Sequence, residues 1–217
     1  MTTWEKLWRD PAVVARWKDA QPLPEVVAMA DRLIGDGGGR VLDIGCGLGR
    51  HTVYLAARGL EVVATDSAPA AVAACKSNLA EAGLRAEVMR VDMSQYPFPD
   101  AHFRGVVASH VIHHTDLATL KRILADIWRV LAPGGYFVWA TPCPKHYECG
   151  SGTEIEPGTW VDPEGREAGL PHHYCTEAEV RGLLSGFDIL SVNEQEYREG
   201  ENSRWHFRIL ARKRSEQ

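Results

Sequence analysis

The sequence predicts an α/β protein in which a parallel β-sheet is covered by helices on both faces. Three observations carry this prediction. Short apolar runs alternate with helical segments between residues 41 and 141, the rhythm of crossover units that build a parallel sheet. The first run ends in Asp43 and opens into a glycine turn, Gly45-Cys46-Gly47-Leu48-Gly49, with a helical segment directly behind it. Hydrophobic residues make up 45% of the 217-residue chain and charged residues 24%, the balance of one globular domain with a full core.

The opening segment reads as helix. Trp4, Leu7 and Trp8 share one helical face, Val13, Val14 and Trp17 form a second patch beyond Pro11, and residues 25–34 continue the apolar period after Pro22 and Pro24. Residues 1–37 are therefore expected to form a helical cover. The run Val41–Ile44 is the first strand, and residues 50–58 form a helix stopped by Gly59. Residues 61–65 form a strand ending at Asp66, and Ser67 is expected to cap the helix that carries Pro69 in its first turn. Residues 86–91 form a strand ending at Asp92. Gly105–Ser109 is a buried-type strand, and Asp116 caps a helix whose face is Leu117, Leu120, Ile123, Leu124, Ile127, Val130 and Leu131. Pro133-Gly134-Gly135 stops that helix, and Tyr136–Thr141 completes the alternating core, residues 38–141.

Residues 142–175 break the rhythm. They are rich in Gly and Pro with no clear period, and are expected to form a lid over an acceptor. Thr176-Glu177-Ala178-Glu179 is a capping box opening a short helix. Residues 187–192 and 204–212 read as a closing pair of strands, with Trp205, Phe207 and Ile209 facing in and His206 and Arg208 facing solvent. The polar stretch 193–203 reads as a long hairpin loop, and residues 176–217 form the C-terminal part of the same domain.

Composition excludes several functions. The formal charge of −5 argues against a nucleic-acid surface or an anionic membrane surface. No stretch is apolar for long enough to span a bilayer, and the N-terminal residues lack the pattern of a signal peptide. Five Cys cannot all pair, so a reducing, cytoplasmic setting is expected. The partner expected is a small molecule, for a monomer or a homodimer.

The chemistry centres on the glycine turn. Glycines there let backbone approach a ligand closely. The nicotinamide fingerprint needs a third Gly where Arg50 stands, and Asp43 before the turn repels a pyrophosphate but suits a ligand carrying an ammonium and a sulfonium. Asp66, at the end of the second strand, can accept hydrogen bonds from both ribose hydroxyls. Asp92 beside Met93 can face an adenine amino group. Strand-end acids in this number are hard to explain by packing.

VLDIGCGLGRHTVYLAARGLEVVATDSAP, VDMSQYPFPDAHFRGVVASHVIHH and WRVLAPGGYFVWATP together resemble the core of the class I S-adenosylmethionine-dependent methyltransferases of the small-molecule type. The resemblance implies a Rossmann-like, doubly wound, seven-stranded sheet with the last strand antiparallel, in three α/β/α layers, and S-adenosylmethionine as cofactor. It places Asp43, Gly45 and Gly47 along the methionine moiety, Asp66 at the ribose, Asp92 and Met93 at the adenine, and Ser109 and His110 under the methionine end; Ser67, next to Asp66, is a further candidate for cofactor binding.

The acceptor side is read from the histidines. His113 is either a general base or a positioning residue, since displacement at a sulfonium depends mainly on alignment. His114, Trp160, His172, His173 and Tyr174 are expected to line the acceptor pocket. The lid also carries Cys143, His146 and Cys149, then His172, His173 and Cys175. These types can bind zinc or a metalloid, but the spacing matches no strong zinc signature, so no metal site is assigned. The rival readings are a metalloid or thiol methyltransferase using the lid Cys and His, a nicotinamide-dependent oxidoreductase, and a non-catalytic cofactor-binding subunit.

Overall fold

The computed structural model describes residues 2–18 and 20–215. Three helices come first, α1 (Thr3–Leu7), α2 (Pro11–Lys18) and α3 (Pro24–Gly35). The alternating core follows as β1 (Arg40–Ile44), α4 (Arg50–Ala57), β2 (Glu61–Asp66), α5 (Pro69–Glu81), β3 (Glu87–Arg90), β4 (Phe103–Ser109), α6 (Leu117–Val130) and β5 (Leu131–Pro142). The lid contributes β6 (Thr153–Glu156), β7 (Thr159–Val161) and β8 (Pro171–His173). The chain closes with α7 (Glu177–Leu183), β9 (Phe187–Glu199) and β10 (Asn202–Lys213).

The main sheet has seven strands in the order β3-β2-β1-β4-β5-β10-β9. The first five strands are parallel, and β10 enters antiparallel between β5 and β9. This is the Rossmann-like sheet with its last strand antiparallel. Its strands are buried on both faces, so alternate residues feed two cores. Leu42, Val106 and Ala108 join Phe137 and Trp139 against α6, while Val41, Val107 and Val138 pack on α3 through Val26, Met29 and Leu33. Each fully buried Val, Leu, Phe or Met side chain among these contributes roughly 1.5–3 kcal/mol.

Local chemistry explains most boundaries. Asp116 Oδ1 accepts from Thr119 N at 2.6 Å and starts α6, and Thr176 Oγ1 accepts from Glu179 N at 3.2 Å and starts α7. Ser67 does not cap α5. The N-cap is Ala68, without a side-chain acceptor, because Asp66 Oδ1 takes the Ala68 N–H and Glu5 Oε2, from α1, takes the Ala70 N–H at 3.0 Å. A residue far away in sequence thus does the capping and docks α1 on α5.

Two further expectations are corrected. The stretch 193–203 is strand, not loop: Glu199 pairs with Asn202 across a tight turn at Gly200, whose φ is 62°. The long ladder gives those polar residues backbone partners that their hydropathy did not reveal. The segment 142–175 has regular structure as well, a small antiparallel sheet in the order β6-β7-β8. Its strands are too short to show a period.

Candidate active site

The sheet order reverses between β1 and β4, and the site grows from the carboxyl end of β1 at that point. Beyond Ile44 the chain turns at once towards α4, and Gly45 and Gly47 take φ values of 62° and 52°. A Cβ on Gly45 would lie 2.4 Å from Val111, and one on Gly47 would lie 2.6 Å from the ring of Trp8. Only glycine meets both the backbone angle and the close approach.

Two buried carboxylates sit under this turn. Asp43 is 2% exposed and accepts a 2.6 Å hydrogen bond from Thr52 Oγ1. Burial pushes its carboxyl up to about 6, against the opposing pull of Thr52 and Arg50. Asp66 is also buried, and its Oδ2 accepts from Gly47 N at 3.0 Å. Burial raises its carboxyl, and the N–H groups of Ala68, Gly47 and Ser67 oppose the rise.

Beside the turn opens a cavity of about 570 Å³. The N-terminal cover lays Trp4, Leu7, Trp8 and Trp17 along it, and the guanidinium of Arg50 stacks 5.2 Å from the centre of the Trp17 ring. Arg50 Nη2 also donates to Ser109 Oγ at 3.3 Å. At the end of β4, His110 has φ 55°, a left-handed conformation that costs a non-glycine residue on the order of 1 kcal/mol or more. Its backbone N–H donates to Ala140 O at 3.1 Å, and its ring meets that of His206 edge-on at 4.4 Å.

Seven of the nine histidines line this cavity. Burial holds most of them neutral. It drives His113 well below the ordinary imidazole range, helped by His114 and His172 nearby. Burial does the same to His110, with His206 and Arg50 adding to it, and to His51, with Arg50 adding to it. His146 falls to about 4 and His206 to about 3, again mainly by burial. Such imidazoles accept hydrogen bonds but bind a proton weakly. Among the described residues, Nδ1 of His113 and Nδ1 of His206 are buried without a hydrogen-bond partner.

The structure sorts the expected site residues. Gly45, Gly47, Ser109, His110, His113, His114, His172 and Tyr174 share the cavity wall. Asp43 and Asp66 lie beneath it. Ser67, Asp92 and Met93 lie outside the lining, and Asp92 is exposed, with Oδ1 accepting from Ser94 N at 2.9 Å. Trp160 lines a neighbouring cavity of about 400 Å³ and not the first. His173 is fully buried, with Nδ1 2.7 Å from Thr159 Oγ1, so it is a packed residue and not an acceptor contact. The lid cysteines do not gather around one point with His146: Cys143 turns into the core with Sγ 3.7 Å from Glu194 Oε1.

Several wall residues escaped the sequence reading. Arg50 and His51 follow the turn inside a helix, and Glu167 lies in the aperiodic lid. Tyr197, Arg204, His206 and Arg208 come from the β9–β10 hairpin. The alternation along β10 was readable, but the face assigned to solvent is the one that looks into the cavity.

Residues 41–135 match the family model described as "Methyltransferase domain". The chain is 32% identical over 123 residues to the 2-heptyl-1-hydroxyquinolin-4(1H)-one methyltransferase of Mycobacteroides abscessus, covering 56% of this chain and 53% of that protein. It is 34% identical over 101 residues to the demethylmenaquinone methyltransferase of Thermus thermophilus, covering 46% and 45%. The chain thus spans about half the length of these curated relatives. Among solved structures, a SAM-dependent methyltransferase from Methanosarcina mazei superposes with a TM-score of 0.74 at 25% identity, covering 91% of this chain and all of that one. The 1,6-didemethyltoxoflavin-N1-methyltransferase of Burkholderia thailandensis, solved with S-adenosylhomocysteine, superposes with a TM-score of 0.64 at 21% identity, covering 92% and 81%.

Proposed function

We infer that this chain, whose residues 41–135 match a methyltransferase domain, is a class I S-adenosylmethionine-dependent methyltransferase that transfers a methyl group to a small-molecule acceptor. One observation carries the reading: a glycine turn over two buried carboxylates opens onto a cavity lined by histidines, five of which burial holds neutral. The two carboxylates directly under the glycine turn place negative charge there, which suits the ammonium and sulfonium of a cationic ligand. The same acids disfavour a pyrophosphate at that turn.

When bound, the cofactor supplies an activated methyl group. In our reading Gly45, Gly47 and the charge of Asp43 hold its amino-acid end, with Ser109 and His110 beneath. Asp66 takes the ribose with Ser67 beside it, and Asp92 with Met93, beyond the cavity lining, takes the adenine. The chain's own work is then to bind, align and exclude water. The aromatic cover over Gly47 keeps water out. His113, His114, His172 and Tyr174 orient the acceptor. Because burial keeps the His113 ring neutral and weakly basic, it serves as a hydrogen-bond acceptor that positions the incoming group, not as a strong base. A cytoplasmic setting fits this chemistry, and no helix among the described residues is long and apolar enough to cross a membrane.

The test is thermal shift with S-adenosylhomocysteine and with NAD, followed by a panel of hydroxyl, thiol, amine and metalloid acceptors read by S-adenosylhomocysteine release. Stabilisation by S-adenosylhomocysteine alone, with turnover of at least one acceptor, is expected. Stabilisation by NAD alone would overturn the reading.

A further inference from the structure

At the acceptor end of the cavity three side chains from separate segments converge. His114 comes from the turn after β4, Glu167 from the segment between β7 and β8, and His172 from the middle of β8. Their ligand atoms all lie within 4.8 Å of one another. His172 Nε2 is 2.6 Å from Glu167 Oε2, and His114 Nε2 is 3.5 Å from the same oxygen. Three ligands bound to a first-row metal at its usual bond lengths stand roughly 3–3.5 Å apart, so adjustments of about 1 Å suffice to seat an ion.

The supporting contacts point the same way. His114 Nδ1 lies 2.8 Å from Val111 O, and His172 Nδ1 lies 3.0 Å from Leu170 O. A backbone carbonyl at Nδ1 accepts a hydrogen bond from that nitrogen and orients the ring with Nε2 towards the shared point, where an ion would replace the proton that Nε2 shares with Glu167. This is how metal-ligating histidines are held. An ordinary ion pair needs one imidazole for one carboxylate. Here two imidazoles aim the same nitrogen at the same oxygen, on a wall shared with open space: all three residues line the 570 Å³ cavity, and Glu167 and His172 also line its 400 Å³ neighbour.

We propose that His114, Glu167 and His172 form a site for a divalent first-row transition metal, with its open coordination positions facing the acceptor space. Two imidazoles and one carboxylate are a donor set taken by Zn²⁺, Fe²⁺, Co²⁺ and Ni²⁺. The ligand class for the open positions is a small molecule offering an oxygen or sulfur donor, which the ion would hold and polarise. Only this last statement rests on the methyltransferase reading; the metal site stands without it.

The experiment uses the full chain, stripped with EDTA and titrated with Co²⁺ under visible spectroscopy, with Zn²⁺ binding followed by calorimetry. One equivalent of Co²⁺ with d–d bands is expected. Glu167→Gln and His172→Ala, each shown to be folded by circular dichroism, should each weaken binding by at least about tenfold, the scale known for disturbing even the groups around a metal's ligands. Cys175→Ser serves as a control, because His173, Cys175 and Glu179 form a second, more buried cluster. Absence of Co²⁺ and Zn²⁺ binding by the wild-type chain overturns the proposal. So does binding that survives Glu167→Gln and His172→Ala but is lost in Cys175→Ser. S-adenosylhomocysteine binding is scored in parallel. Metal uptake without it keeps the site and removes the cofactor reading; its binding without metal uptake does the opposite.

Discussion

Asp43 shows best how one residue trades stability for a site. Its carboxyl is raised to about 6 by burial, while an unfolded chain titrates it at the ordinary value of 3.8. The folded state therefore keeps the proton to higher pH, and the stability this group contributes declines as pH rises from about 4 to about 6 and is flat above. The shift corresponds to at most about 3 kcal/mol. Asp43→Asn keeps an acceptor for Thr52 and removes the buried charge. Melting temperatures between pH 4 and 8 should show the variant level with or above wild type at pH 8, with the difference shrinking towards pH 4, while S-adenosylhomocysteine binds more weakly. A pH-independent difference would contradict this account. Its place at a strand end marks Asp66 as a candidate ribose acceptor. Asp66→Ala should cost about 1–3 kcal/mol of cofactor affinity by calorimetry, the scale of lost hydrogen bonds to a charged group. Wild-type affinity in that variant would remove the ribose assignment. By contrast, His173 could not be separated from His172 by sequence. Adjacent strand residues point to opposite faces, and only the register of β8 on β7 decides which one reaches the cavity.

Among the elements, legibility follows locality. The face of α6 and its Asp116 cap could be read directly, because both depend on residues within a few turns of one another. Asp116→Ala should lower stability by about 1 kcal/mol in denaturant titrations and leave S-adenosylhomocysteine affinity unchanged, since α6 packs beneath the sheet and not at the cavity. A parallel loss of affinity would mean that α6 reaches the site. The cap of α5 was not legible, because its acceptor is Glu5. Glu5→Ala should loosen α1 from α5, expose the N-terminal segment to limited proteolysis and speed release of S-adenosylhomocysteine in stopped flow. Unchanged protease sensitivity would show that α1 is held by its aromatic residues alone. The β9–β10 hairpin was underestimated for a related reason: polar side chains on a strand look like loop until the partner strand is known.

At the scale of the whole molecule, the histidine surplus acts as one pH-dependent body. His206 at about 3 and His146 at about 4 are held neutral by burial, and His51, His110 and His113 are lowered too. The unfolded chain takes up these protons near pH 6.5 and the folded one resists, so the stability they contribute is complete above pH 6.5 and is lost as pH falls. Each group costs on the order of 1 kcal/mol per pH unit in that window, which outweighs the opposite contribution of Asp43. Urea titrations from pH 7 to 4 should show steep acid destabilisation, and His206→Asn should flatten it. A flat wild-type profile would mean that the imidazoles are hydrated and not buried. The sequence by itself determined the alternating core, the glycine turn and the acids beneath it, because strand period, helix caps and turn glycines are written by residues close together in the chain. Only the tertiary structure decided the rest of the cavity wall. The turn after β4, the aperiodic lid and the inner face of the hairpin are far apart in sequence and meet because the two hydrophobic cores pack the sheet between its helices. The convergence of His114, Glu167 and His172 is a by-product of that packing, and no local pattern could have announced it.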